Sequence, residues 1–122
     1  MILKNFILVG IGGAIGSLLR YLFFVTVKHN TFPFATFTVN IIGSLLIGII
    51  MGFASKHAGF GEWRLFLATG ICGGFTTFSA FSWECINMLE HECYLTFTYY
   101  LTGSLLLGLA ATLIGYLLTK QF

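Results

Sequence analysis

Residues 70–84 read GICGGFTTFSAFSWE, an unusual mixture of glycines, hydroxyls, phenyls and one glutamate inside a long apolar run. Gly73 and Gly74 make a poor helix centre, since glycine costs about 1 kcal/mol against alanine in a helix interior. A helix that breaks there frees backbone carbonyls from their amide partners. At membrane depth such carbonyls persist only when buried in protein, lining water or facing a cation. A break would therefore offer a hard-cation site made of backbone oxygens; an unbroken helix would make the glycines packing notches. Both readings stay open on the residues alone. Phe75, Phe78 and Phe81 recur every three residues, with Thr76, Ser79 and Ser82 as the adjacent stripe. A phenyl ring has a positive edge, and a hydroxyl donates hydrogen bonds. The stretch either lines an anion path or turns its phenyls to lipid.

Other polar groups lie elsewhere in apolar sequence. Arg20 is either a snorkelling anchor or the charge of a vestibule that concentrates anions. Asn40, with Thr36 one turn before it, either bonds a neighbouring helix or contacts a substrate. Tyr100, Ser104, Gly108 and Thr112 follow one another turn by turn along one face. The result is a seam of donors with almost no carboxylate. Glu84 is the only acidic candidate inside the apolar stretches, expected to pair with a polar neighbour or face a vestibule.

These residues must be positioned by membrane-spanning helices. The chain has 122 residues, 57% hydrophobic, with ten charged side chains (six basic, four acidic). Mean hydropathy is +0.94. That is too little charge for the polar shell of a soluble domain, and a net charge of +2 does not suggest nucleic acid. A crossing helix needs roughly 20 apolar residues. Four stretches qualify, at about 5–27, 36–55, 63–89 and 95–119, and they form a single transmembrane domain. The first is read as a span rather than a cleaved leader, being too long and interrupted by Arg20. Continuous apolar runs argue against a transmembrane barrel. Short connections make consecutive helices antiparallel neighbours, with both termini on one side.

Small residues four apart (Gly12 and Gly16, Gly48 and Gly52, Gly70 and Gly74, Ser104 and Gly108) predict faces where helix backbones approach closely. GIGGAIG (Gly10–Gly16) lacks the spacing and the preceding strand of a nucleotide loop. Cys72, Cys85 and Cys93 read as small buried hydrophobes. His29, His57 and His91 fall in loops or at span edges, and no nucleophile–base pair is legible, so no enzyme is expected. Four tightly packed short helices leave no lumen, which favours an oligomer, most simply a two-fold dimer.

The motifs GGAIGSLLRY with Arg20, TFTVNIIGS with Asn40, TGICGGFTTFSAFSWE, and Gly103–Ser104 resemble the Fluc (CrcB) fluoride channels in order and over essentially the whole chain. The resemblance implies passive fluoride efflux that protects the cell from fluoride. It implies an antiparallel, dual-topology homodimer in the bilayer of a bacterial inner membrane, with two fluoride pathways and a broken third helix. It also implies a structural sodium ion on the dimer axis, held by the carbonyls of Gly73 and Thr76 from each subunit. Phe78 and Phe81 would be the pore phenyls, supported by Asn40, with Ser79 beside them. Arg20 would mark the vestibule, and Tyr100 and Ser104 the polar track. Gly108 departs from the pattern, standing where a second track serine is common. Fluoride itself is named by the resemblance, because a donor-lined seam does not identify its anion.

Two other functions compete. A small dual-topology, proton-coupled antiporter of cationic compounds needs a carboxylate deep in the membrane, and the first two spans have none. A non-transporting packing subunit would not need a glycine break beside a hydroxyl stripe. Lys4, Lys56, Arg64 and Lys120 fall on the side of the termini, against Lys28 and Arg20 opposite. The positive-inside tendency favours cytoplasmic termini, whereas dual insertion wants little bias. Either the bias is too weak to decide, or the subunit pairs with an oppositely inserted relative.

Overall fold

The computed structural model describes residues 1–28 and 31–121. His29 lies outside the described residues. Helix α1 runs Ile2–Thr26, α2 Phe34–Ala54 and α6 Tyr94–Lys120. The third apolar segment is composite. A 3-10 turn (Ala58–Phe60) leads into α3 (Gly61–Arg64), a π-helical segment (Leu65–Cys72), α4 (Gly73–Phe75) and α5 (Phe78–Glu90). No strand occurs among the described residues. Four helical segments are long and apolar enough to cross a membrane, and the chain is a multi-pass membrane protein. The helices start earlier than the apolar stretches because hydropathy marks the hydrocarbon, whereas backbone bonding continues into the interface.

Glycine decides which helices touch. On α1, Gly12 and Gly16 are buried against the π segment and α4. A Cβ on Gly12 would come within 2.5 Å of the Phe66 carbonyl oxygen, and one on Gly16 would land on the Ile71 carbonyl. Across the same seam Gly70 meets the backbone of Gly12, and Gly74 that of Gly13. The second seam joins α2 to α6. There Gly48 and Gly52 admit the backbone of Thr112 and Tyr116, and Gly115 admits that of Leu45 and Ile49. Two hydroxyls stitch it, Thr112 Oγ1 donating to the Ser44 carbonyl (3.0 Å) and Thr119 Oγ1 to the Ile49 carbonyl (3.1 Å). Lipid gives no hydrophobic drive for helix pairing, so close contact and such bonds carry the association. The pair Ser104 and Gly108 does not act as a notch: a Cβ at Gly108 would meet only Ser44 Oγ, at an ordinary 3.6 Å. The close approach on α6 falls instead at Gly115, one of its two buried residues.

The core lies between α2, α5 and α6. Tyr100, Val39 and Thr36 are fully buried. Phe81, Cys85 and Met88 pack with Tyr100, joined by Phe32, Phe37 and Cys93 at the edge. Cys72 and Cys85 are buried as expected, whereas Cys93 is only half-buried because it stands at the N-cap of α6. The turn from α5 to α6 is a Schellman motif: Cys93 N–H donates to the Met88 carbonyl (2.8 Å) and Glu92 N–H to the Leu89 carbonyl (3.1 Å). Glu92 takes the left-handed position at φ 57°, where glycine is usual.

Candidate functional site

The third segment bends at Thr76 and Thr77. Their backbones are extended, at φ −82°, ψ 157° and φ −150°, ψ 114°. The break expected over Gly73–Thr76 falls at the far end of that range and just past it: Gly73 and Gly74 are helical, and the extended residues are the two threonines. β-Branched side chains suit extended backbone, and Gly74 is needed where its missing Cβ lets Gly13 approach. Gly43 on α2 makes room from the other side, since a Cβ there would run into the Thr76 methyl.

Side chains take up the backbone groups released at the bend. Thr76 N–H still reaches the Cys72 carbonyl (2.9 Å). Thr77 N–H turns instead to Asn40 Oδ1 (2.8 Å), and Asn40 Nδ2 donates back to the Thr77 carbonyl (3.1 Å). The amide thus replaces the helical acceptor of Thr77 N–H and adds a donor to the Thr77 carbonyl, which is also the first acceptor of α5 because Thr77 is its N-cap. The Gly73 carbonyl loses its helical donor. Arg20 Nη1 donates to the Thr76 carbonyl at 3.1 Å. Arg20 therefore reaches inward to the bend rather than snorkelling to the end of α1. Thr77 Oγ1 accepts from Ala80 N–H (3.2 Å) and caps α5, as expected of a threonine at an N-cap.

A cavity of about 310 Å³ opens beside the bend, between α2, the third segment and α6. It gathers six of the nine expected site residues: Asn40, Gly73, Thr76, Phe78, Phe81 and Ser104. Arg20, Ser79 and Tyr100 do not line it. Phe78 is 77% exposed and Phe81 only 8%, with ring centroids 5.7 Å apart and planes tilted by 42°. The phenyl row is not continuous. Phe75 lies before the bend, its ring edge-on to Phe23 at 5.8 Å. The hydroxyl stripe also divides. Thr76 Oγ1 donates to the Cys72 carbonyl and Ser82 Oγ to the Phe78 carbonyl, both at 2.9 Å. Ser79, exposed, shares a hydrogen bond with Thr77 (3.2 Å).

Next to the cavity, Glu84 is held by two hydroxyls. Thr36 Oγ1 donates to Oε1 and Tyr100 Oη to Oε2, each at 2.6 Å. The carboxylate has found polar neighbours, as expected. Tyr100 is buried with its ring 5.1 Å from that of Phe81. Ser104, one turn along α6, differs: its Oγ is the only buried side-chain oxygen among the described residues with no hydrogen-bond partner. The sequence reading missed Thr77, although a hydroxyl residue directly before a helical run is the usual mark of a cap. It also missed Ser44, which lines the cavity and carries no signal beyond being a serine in an apolar run.

Residues 7–116 match the family described as CrcB-like protein, Camphor Resistance (CrcB). The chain is 43% identical over 124 residues to the protein named fluoride-specific ion channel FluC of Azobacteroides pseudotrichonymphae genomovar. CFP2, covering 98% of this chain and 99% of that one. It is 44% identical over 126 residues to a protein of the same name from Bacteroides fragilis (strain YCH46), with the same coverage. To the one from Flavobacterium psychrophilum it is 42% identical over 123 residues, again covering 98% and 99%. A match of this identity along nearly the whole of each chain, on a four-span bundle with a cavity at its bend, makes this chain a member of the CrcB-like family.

Proposed function

We propose that this chain is a fluoride-specific ion channel through which fluoride leaves the cell passively, not a carrier and not an enzyme. The observation that carries the reading is the near-full-length identity with relatives named for that activity. The site's chemistry supports it. The cavity is lined by hydroxyl and amide residues and two phenylalanines, with no carboxylate among them. Glu84, the carboxylate a proton-coupled antiporter would need, is engaged by two hydroxyls.

In this reading Arg20 keeps a positive charge at the bend and draws anions toward it. Asn40 holds the bend, and the capped N-terminus of α5 adds the positive end of a helix dipole. Phe78 and Phe81 turn ring edges toward the passing anion. Ser79 stands beside them, Ser104 offers an unused hydroxyl, and Tyr100 forms the wall behind Phe81. The bend acts as the broken third helix of an antiparallel, dual-topology homodimer in a bacterial inner membrane. The exposure of Phe78 in a single chain supports a second copy there.

The residues also suit a structural sodium ion. Thr77 N–H is turned to Asn40, which leaves the Gly73 carbonyl without that donor. Gly73 is exposed, and the nearest atom to a Cβ there would be the Ala68 carbonyl oxygen at 3.9 Å. The Thr76 carbonyl gives one of its two lone pairs to Arg20. No His, Cys, Asp or Glu cluster suited to a metal occurs among the described residues. Neutral oxygens favour a monovalent hard cation over calcium or magnesium. Gly73 and Thr76 from two copies would hold it, and its charge would stabilise clustered carbonyl dipoles.

The test is efflux from liposomes holding the purified protein. Fluoride is expected to leak without a proton gradient, and far faster than chloride. Flux that vanishes when the gradient is collapsed would mean a coupled carrier, and no fluoride flux at all would overturn the reading. Phe78→Ile and Phe81→Ile are each expected to cut flux strongly.

A further inference from the structure

The cavity contains two serines from facing helices. Ser104 Oγ on α6 is buried without a partner. A buried hydroxyl left in that state is costly unless water or a ligand completes it. Ser44 on α2 lines the same cavity and lies one turn beyond Asn40, on the same face.

One turn along α6 from Ser104 stands Gly108, which has no side chain to offer the seam. The space over it is occupied from the other helix: a Cβ at Gly108 would have Ser44 Oγ as its neighbour at 3.6 Å. The next hydroxyl of the seam is committed elsewhere. Thr112 Oγ1 donates to the carbonyls of Ser44 (3.0 Å) and Gly108 (3.1 Å). A serine inside a helix usually returns its hydroxyl to its own preceding turn. The hydroxyl of Ser44 points instead across to the bare backbone of α6.

We infer that Ser44 is a further anion-coordinating residue, supplying from α2 the donor that α6 lacks at Gly108. The row of donors then continues from Ser104 to Ser44 by changing helix. Its ligand is a small, hard anion that accepts strongly from O–H, because hydrogen bonds to a charged acceptor are short and strong. This inference rests on the reading of the cavity as an anion path.

The test places the donor on one helix or the other. Liposome efflux of fluoride is compared for the native chain, Ser44→Ala, Gly108→Ser and the double variant. Ser44→Ala should lower fluoride flux about tenfold, the scale of one lost hydrogen bond to a charged group. Its cross-helix bond from Thr112 uses the Ser44 backbone and survives, so the fold is expected to hold. Adding Gly108→Ser should restore most of the lost flux, since a side chain at Gly108 meets no clash and returns a hydroxyl to the same space. Ser44→Cys, which keeps volume but donates weakly, should behave like Ser44→Ala. Undiminished flux in Ser44→Ala, or a double variant no faster than the single one, would overturn the inference. A native chain that passes no fluoride would instead overturn the channel reading itself.

Discussion

Along α1 and the π segment, glycine opposes glycine and backbone lies on backbone; at the bend of the third segment, polar side chains stand between the helices. In the first region Gly12, Gly16, Gly70 and Gly74 act by having no side chain. Every backbone bond there stays within its own helix, and proximity is the whole purpose. In the second region Thr76 and Thr77 leave the helix, and Asn40, Arg20 and the Thr77 hydroxyl take up the freed groups. The two regions meet the same demand, that backbone polar groups be paired in hydrocarbon, by opposite means, and the bend meets it for all but the Gly73 carbonyl. The glycine seam can only pack. The bend leaves one carbonyl without its helical donor, beside a cavity and an arginine.

The strongest test of this contrast is at the seam. Gly16→Leu should prevent recovery of folded protein, because the side chain would enter the backbone of Ile71 and Phe75; overpacking of this kind costs about 3 kcal/mol or more. Gly10→Ala is the control. Nothing lies within 4 Å of a Cβ there, so it should fold as the native chain does, by thermal unfolding in detergent. Equal behaviour of the two variants would dissolve the seam.

At the bend, Asn40→Asp should cost about 2 kcal/mol, since an ionised carboxylate still accepts from Thr77 N–H but no longer donates to the Thr77 carbonyl. Fluoride flux should fall with it. A variant as stable and as conductive as the native chain would show that the bend does not depend on the amide.

Smaller effects separate cap from bend. Thr77→Ala should lose about 1 kcal/mol with the helix cap, and Thr77→Ser should keep it. Loss in both would place the effect in the threonine methyl. The smallest expected change is a gain. Glu92→Gly should stabilise the α5–α6 turn by about 1 kcal/mol, because the left-handed conformation no longer opposes a Cβ. A neutral or negative result would mean that the Glu92 side chain contributes to the turn.

Much of the architecture was legible in the residues. Continuous apolar runs gave four spans, and small residues four apart gave three of the four close faces. The fourth failed because spacing alone does not say which face of α6 meets a partner; Gly115, not Gly108, does so. The bend was legible in kind but lies at Thr76 and Thr77, three residues beyond Gly73 and Gly74. Glycine signals both a weak helix and a close contact, and at Gly74 the contact prevailed. Among the candidate site residues, Asn40, Phe78, Phe81 and Ser104 share a cavity as a local reading could hope. Thr76 and Ser82 turned their hydroxyls to their own backbone, which a stripe drawn on a helical wheel does not reveal.

The sequence by itself determined what depends on sums over neighbours: a membrane environment, helices rather than strands, and one carboxylate within the spans. Hydropathy and helix period are local averages, so they survive without knowledge of the fold. The tertiary structure decided the pairings. Arg20 met the Thr76 carbonyl across 56 positions, Thr36 met Glu84 across 48, and Asn40 met Thr77 across 37. A hydrogen bond is directional and lost within an ångström or so, so which donor finds which acceptor waits on how the helices dock.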